Sequence, residues 1–185
     1  VTRKVLWIVG EPGVGKTTVA RKLLELYGEK SWEKSLPKWT GFGSEVATAG
    51  WWRGETFDGS DTLPISQIKY SMQYWADELK HIKLAVLDGD KLANKGAVRV
   101  AVEQNAQLFA VNIIGEQQAA ERRLARGSKQ DETWIKGRRT KSSNFYRFLP
   151  EYGWQCLKYQ FHADTPADQM AKSIKHIVDS GTYAC

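Results

Sequence analysis

The chain has 185 residues, 42% of them hydrophobic, enough to bury a core without disulfides and consistent with a single domain spanning 1–185. Its formal net charge of +6 attracts anionic partners at long range, so a nucleotide, a nucleic acid or both are expected. Cys156 and Cys185 form no CxxC or CxxxH pair, no apolar run approaches the roughly 18 residues of a spanning helix, and no secretory h-region opens the chain. A thiolate metal centre, a redox pair and a membrane partner are therefore not expected, and the protein reads as soluble and cytoplasmic.

Val5 to Val9 is a continuous apolar run with β-branched and aromatic members, as in a central strand buried on both faces. From Lys16 the spacing becomes helical, with Val19, Leu23, Leu24 and Tyr27 on one face and Gly28 placed to end the helix. Residues 29 to 63 mix Trp, Gly, Ser and charge, and read as loops around one short strand near Glu45 to Trp51. Pro64 suits a first helical position, and Ile65, Ile68, Met72, Trp75 and Leu79 recur at steps of three and four. Ile82 to Leu87 and Leu108 to Ile114 read as further buried strands with a short helix between them. Glu116 to Arg126 reads as a helix closed by Gly127, and the stretch from there to Asn144 is polar and basic. An alternating strand through Leu157, Tyr159 and Phe161 is followed by a last helix, capped by Thr165 before Pro166, with Met170, Ile174 and Ile177 inward. Alternating strands and helices predict an α/β fold with a parallel sheet. The expected arrangement is the three-layer P-loop kinase fold, with five strands in the order 2-3-1-4-5 and a basic lid.

Between the first strand and helix lies Gly10-Glu11-Pro12-Gly13-Val14-Gly15-Lys16-Thr17, followed by Thr18. Its glycines allow successive backbone N–H groups to turn toward phosphates, an approach that a Cβ at Gly13 or Gly15 would obstruct. Lys16 is expected on the β and γ phosphates and Thr17 on Mg²⁺, with the helix N-terminus adding its dipole. A nucleotide triphosphate, ATP, is the expected cofactor together with Mg²⁺. Asp88 ends a strand where a P-loop protein commonly holds the Mg²⁺ shell, and Asp90 is close enough to share that role or meet substrate.

Neither an Asn-Lys-x-Asp base-reading motif nor an Asp-x-x-Gly switch marks a GTPase, and a transporter ATPase or helicase would need more chain. A small kinase remains. Arg122, Arg123, Arg126, Lys129, Lys136, Arg138, Arg139 and Lys141 cluster within residues 122 to 144, where a lid neutralises the transferring phosphoryl group. A solvated basic face is the competing explanation of the same charges. The acceptor side is expected in residues 50 to 63, with Asp58, following Phe57, favoured over Asp61 as the carboxylate that takes the acceptor's proton. Trp52, Arg53, Phe57, Asp58, Asp61, Asp90, Arg138, Arg139, Lys141 and Asn144 are the expected acceptor-binding residues. If instead Phe57 is core, both aspartates are turn formers.

Taken in order, Gly-Glu-Pro-Gly-Val-Gly-Lys-Thr-Thr at 10 to 18, Trp-Arg-Gly-x-Thr-Phe-Asp-Gly-Ser-Asp-x-Leu at 52 to 63, Leu-Asp-Gly-Asp-Lys-Leu at 87 to 92 and the basic segment ending Thr140-Lys141-Ser142-Ser143-Asn144 resemble the bacteriophage P-loop kinases that act on 5-hydroxymethyluracil in DNA. The resemblance implies phosphoryl transfer from ATP to the hydroxymethyl oxygen, DNA containing 5-hydroxymethyluracil as partner, and work in the cytoplasm of a host bacterium. The positive charge suits a phosphate backbone, and Trp51, Trp52 and Phe57 are candidates to stack a base, reached by local distortion or by flipping. A kinase for a free nucleoside, nucleotide or other small metabolite is the alternative, and an ATP-hydrolysing DNA-binding protein the third reading. Asp164-Thr165-Pro166 is positioned to meet adenine, though capping the last helix explains the same residues.

Overall fold

The computed structural model describes residues 2–55, 57–149 and 156–181, so Thr56 of the 50 to 63 segment and Cys185 lie outside the described residues. In chain order the elements are β1 (Lys4–Gly10), α1 (Lys16–Glu25), β2 (Lys30–Ser35), β3 (Lys38–Phe42), β4 (Val46–Ala49), a 3-10 turn (Ser60–Thr62), α2 (Ile65–Asp77) and β5 (Leu84–Asp88). There follow α3 (Lys95–Glu103), β6 (Gln107–Ile114), α4 (Glu116–Ala125), α5 (Glu132–Phe148), β7 (Cys156–His162) and α6 (Ala167–Ser180).

The strands form one sheet in the order β2-β3-β4-β5-β1-β6-β7. From β4 to β7 all neighbours are parallel, so this part holds the expected 2-3-1-4-5 order, while β2 and β3 add an antiparallel hairpin beyond β4. Seven strands therefore replace the five expected. The hairpin lies where loops were predicted. It forms because Trp39 and Thr40 bury completely against the sheet, and its register runs from Ser35↔Lys38 to Lys30↔Phe42 with one irregularity between Lys30 and Trp32.

Two apolar layers cover the sheet, and alternation along β1 assigns its side chains between them. Val5, Trp7 and Val9 face α2, α3 and α5 through Met72, Trp75, Val98 and Phe145. Leu6 and Ile8 face α1, α4 and α6 through Val19, Leu23, Ala119, Met170 and Ile174. Trp7 also ties this architecture to the site: its Nε1 donates to Leu92 O at 2.9 Å, and its ring lies 5.6 Å from Phe145, docking α5 against the strand that leads into the glycine loop.

One further helix appears, and three local expectations are corrected. The basic segment after Gly127 is a 17-residue helix, α5, capped by Asp131, whose side chain accepts from Trp134 N at 2.8 Å. Ile65 does not join the packed face of α2, being 86% exposed at its N-terminus, and Pro64 is the cap residue rather than the first helical one. Thr165 makes no side-chain cap on α6, which starts after Pro166.

Candidate active site

The glycine loop leaves β1 and enters α1, as its sequence position dictates. Gly13 has φ +91°, and a Cβ there would lie 2.7 Å from Ala119 O, so the loop's shape requires glycine at this point. Lys16 Nζ donates to Gly10 O at 2.9 Å and Glu11 O at 2.8 Å, which holds the amine over the loop's mouth. Desolvation lowers its pKa, opposed by the charges of Asp61, Asp88, Asp90 and Glu11, in that order. The fields of four acidic residues thus favour the charged ammonium.

Asp88, at the C-terminal end of β5, is the centre of the next layer. Its Oδ2 accepts from Thr17 Oγ1 at 3.3 Å, and its Oδ1 accepts from Ser60 N at 2.9 Å. Ser60 Oγ also donates to Asp88 O, so the 3-10 turn is bonded to the strand end at two points. Gly59 makes this approach feasible, because a Cβ there would lie 2.4 Å from Asp88 Oδ1. Thr17 and Asp88 supply hard oxygen donors, the kind Mg²⁺ takes alongside a nucleotide's phosphates, and the loop's amides and Lys16 fit the phosphates. The residues present therefore suit Mg·ATP.

Burial pushes the Asp88 carboxyl up to about 6, with Asp61 reinforcing the rise and the Ser60 N–H, Lys16 and Thr17 opposing it. The folded protein then holds this proton more tightly than the unfolded chain, whose carboxyl titrates near 3.8. Stability from this group is greatest below that lower pKa and is lost as pH rises through about 6. In divalent-free buffer, Asp88→Asn should be the more stable protein at pH 7.5, by up to about 3 kcal/mol, and the difference should shrink toward pH 4.5. Urea unfolding at the two pH values measures it; a gap independent of pH would contradict the buried charge.

Side chains of the basic segment bond directly to the glycine loop. Glu11, 6% exposed, accepts from Arg139 Nη2 at 3.0 Å and from Arg123 Nη1 at 3.3 Å, and Arg139 also pairs with Glu116 at 2.9 Å. Arg123 donates to Pro12 O, Arg122 donates to Val14 O at 2.6 Å and Ala163 O at 2.8 Å, and Ser142 Oγ donates to Gly10 O at 3.1 Å. Of the expected catalytic arginines, Arg122 is thus occupied with backbone carbonyls, while Arg126 is exposed beside Gly13. Arg138 pairs with Asp90 at 2.6 Å, and Lys141 stands 3.9 Å from the same carboxylate.

The 50 to 63 segment is where placement departs most from expectation. Trp52 is core, 5% exposed, with Nε1 donating to Thr48 Oγ1 at 3.3 Å, so it offers no face to a substrate. Asp58 is 2% exposed, and its two oxygens accept from Arg21 Nη2 at 2.8 Å, Arg53 N at 2.9 Å and Gly54 N at 3.0 Å. A carboxylate so filled organises its own loop and has little capacity left for an acceptor's proton. Arg53 itself bonds Glu33 and lies over Trp51. Phe57, by contrast, is 66% exposed, and Asp61 is an exposed carboxylate in the turn that Ser60 fastens to Asp88.

Sequence reasoning passed over Ser60, Arg21 and Ser142. Ser60 sits between the two aspartates that drew attention, and its role depends on a contact 28 residues away. Arg21 lies one helical turn beyond Thr17, a spacing that places both on one side of α1.

The family model described as P-loop Nucleotide Kinase3 matches residues 1–179. No curated protein matches the sequence. Among solved structures, a deoxyadenosine kinase from M. mycoides with products dCMP and dCDP is similar at a TM-score of 0.52 and 10% identity, over 95% of this chain and 99% of that one. A shikimate kinase from Acinetobacter baumannii in complex with shikimate gives a TM-score of 0.50 and 17% identity, over 99% and 97%. At these identities the two structures speak to fold alone. With the family match spanning nearly the whole chain, and the loop, lysine and strand-end aspartate in place, the protein belongs to the P-loop nucleotide kinase family.

Proposed function

We propose that the protein transfers the γ-phosphoryl group of ATP to a hydroxyl of a nucleoside-class acceptor. The observation that carries this reading is Asp61: an exposed carboxylate, on a turn bonded to Asp88, near enough for its charge to act on Lys16. A phosphotransferase needs such an acid to orient the attacking alcohol and accept its proton.

In this reading the acceptor oxygen attacks the γ-phosphorus, the bond from that phosphorus to the ADP oxygen breaks, and the alcohol proton passes to Asp61. Loop amides and Lys16 would hold the phosphates, and Thr17 and Asp88 would hold Mg²⁺, which would neutralise phosphate charge. Arg126 is the cation placed to join them beside Gly13. Asp58 has a supporting part, holding Arg53 and Gly54 through their backbone N–H groups.

A second reading, the 5-hydroxymethyl group of a modified uracil within DNA, is favoured by one surface feature. Two cations stand over the Trp51 ring, the Lys38 ammonium 3.8 Å and the Arg53 guanidinium 3.6 Å from its centroid, with Phe57 exposed nearby in sequence. Cations interleaved with aromatic rings suit a nucleic-acid strand.

Product analysis by mass, after incubation with Mg·ATP and either free deoxynucleosides and nucleotides or DNA with and without 5-hydroxymethyluracil, separates the readings. A phosphorylated small molecule is expected for the first, and phosphate confined to the modified DNA for the second. ATP hydrolysis with no phosphorylated product from any of them would reject both.

A further inference from the structure

Between α3 and α5, on the Trp7 side of the sheet, lies a groove of about 420 Å³. Its floor is apolar, formed chiefly by Val98, Phe145, Phe148 and Leu149, and its α5 wall carries the side chains of Thr140, Lys141 and Asn144. Phe148 is 42% exposed, and Asn144 is exposed with no side-chain hydrogen bond among the described residues, leaving a carboxamide with both donor and acceptor to offer.

We propose that this groove binds the planar base of the acceptor, a site distinct from the 50 to 63 segment. The inference rests on the kinase reading for the identity of the ligand as acceptor, and on the groove's own chemistry for its class. Aromatic and branched side chains below, with one carboxamide and one hydroxyl at the wall, suit a flat ring that presents a donor and an acceptor side by side on its edge. The volume lies in the range that small-molecule sites occupy.

Its location favours the acceptor over the donor base. Lys141, on the groove's wall, stands 3.9 Å from Asp90, two residues beyond Asp88, so the groove neighbours the phosphoryl-transfer centre. The loop expected to meet adenine begins beside Ala163, which packs in the opposite apolar layer and is bonded to Arg122. The two bases would therefore approach the centre from opposite faces of the sheet.

Gly137 supplies the test. It lines the groove, is exposed on α5, and a Cβ there would meet nothing within 4 Å, so Gly137→Phe adds a ring at the groove without a clash in the helix. Calorimetric titration with thymidine, deoxycytidine, deoxyadenosine, deoxyguanosine and 5-hydroxymethyl-2′-deoxyuridine is the measurement, with circular dichroism to check folding. At least one nucleoside should bind the unaltered protein, its Kd rising by about tenfold or more in Gly137→Phe while affinity for a non-hydrolysable ATP analogue stays within about twofold. Asn144→Leu, an exposed change independent of the first, should flatten the preference among the five nucleosides. Unchanged binding in Gly137→Phe, or no nucleoside binding at all, would overturn the assignment. Nucleoside binding lost in Gly137→Phe, with no phosphorylated product from the unaltered protein, would leave the groove standing and remove the kinase reading. Phosphoryl transfer with an acceptor KM untouched by Gly137→Phe would do the reverse.

Discussion

Replacing Lys16 with alanine is expected to lower kcat by about a hundred- to a thousand-fold, the usual effect of deleting a cation that meets charge in the transition state. The fold should survive. Lys16 is bonded to two carbonyls of its own loop, and its amine is already disfavoured by desolvation, so its loss removes an unfavourable burial along with two hydrogen bonds. Steady-state kinetics beside circular dichroism and thermal melting make the comparison. A Lys16→Ala enzyme within tenfold of the unaltered kcat would end the donor assignment, whatever the acceptor.

The second large effect separates two aspartates only three residues apart. Asp61→Asn should reduce kcat by about two to four orders of magnitude with little change in melting temperature, because the side chain is exposed and serves chemistry in this reading. Asp58→Asn should do the opposite. It removes the charge that pairs with Arg21 at 2.8 Å and weakens the acceptor of two backbone N–H groups, destabilising the protein by about 2 kcal/mol once the partial exposure of Arg21 is considered. Activity lost by that variant should return when it is assayed well below its melting point. An unchanged melt in Asp58→Asn with a hundredfold loss of kcat, beside an active Asp61→Asn, would return the role of base to Asp58.

The donor half of the site was legible because its signals are local. Glycines at 10, 13 and 15 lie between an apolar run and a helical spacing, and Asp88 closes an apolar run, so no long-range contact is needed to see either. The hairpin was hidden by composition. Gly41 reads as a loop residue, yet it sits inside β3 because the Trp32 indole lies where a side chain would be: a Cβ on Gly41 would fall 2.1 Å from Trp32 Nε1. α5 was hidden for a different reason. Among its inward positions is Ser142, which serves Gly10 O, so the helix packs partly through polar contacts that carry no hydrophobic period. Trp52 was misjudged because two adjacent tryptophans look like one aromatic patch, although an extended chain turns neighbours to opposite sides. Asp58 and Asp61 are told apart only by what surrounds them, which depends on Arg21 from another element.

The hairpin also changes how the molecule meets its own kind. Without β2 and β3 the sheet would end on β4, Val46–Ala49, four buried residues of the sort that templates strand addition between chains. With them the open edge is Lys-Ser-Trp-Glu-Lys-Ser, where Lys30 and Lys34 are exposed and Lys30 pairs with Glu33. An incoming strand would have to desolvate those charges, so the added ribbon guards this edge of the sheet against edge-to-edge aggregation.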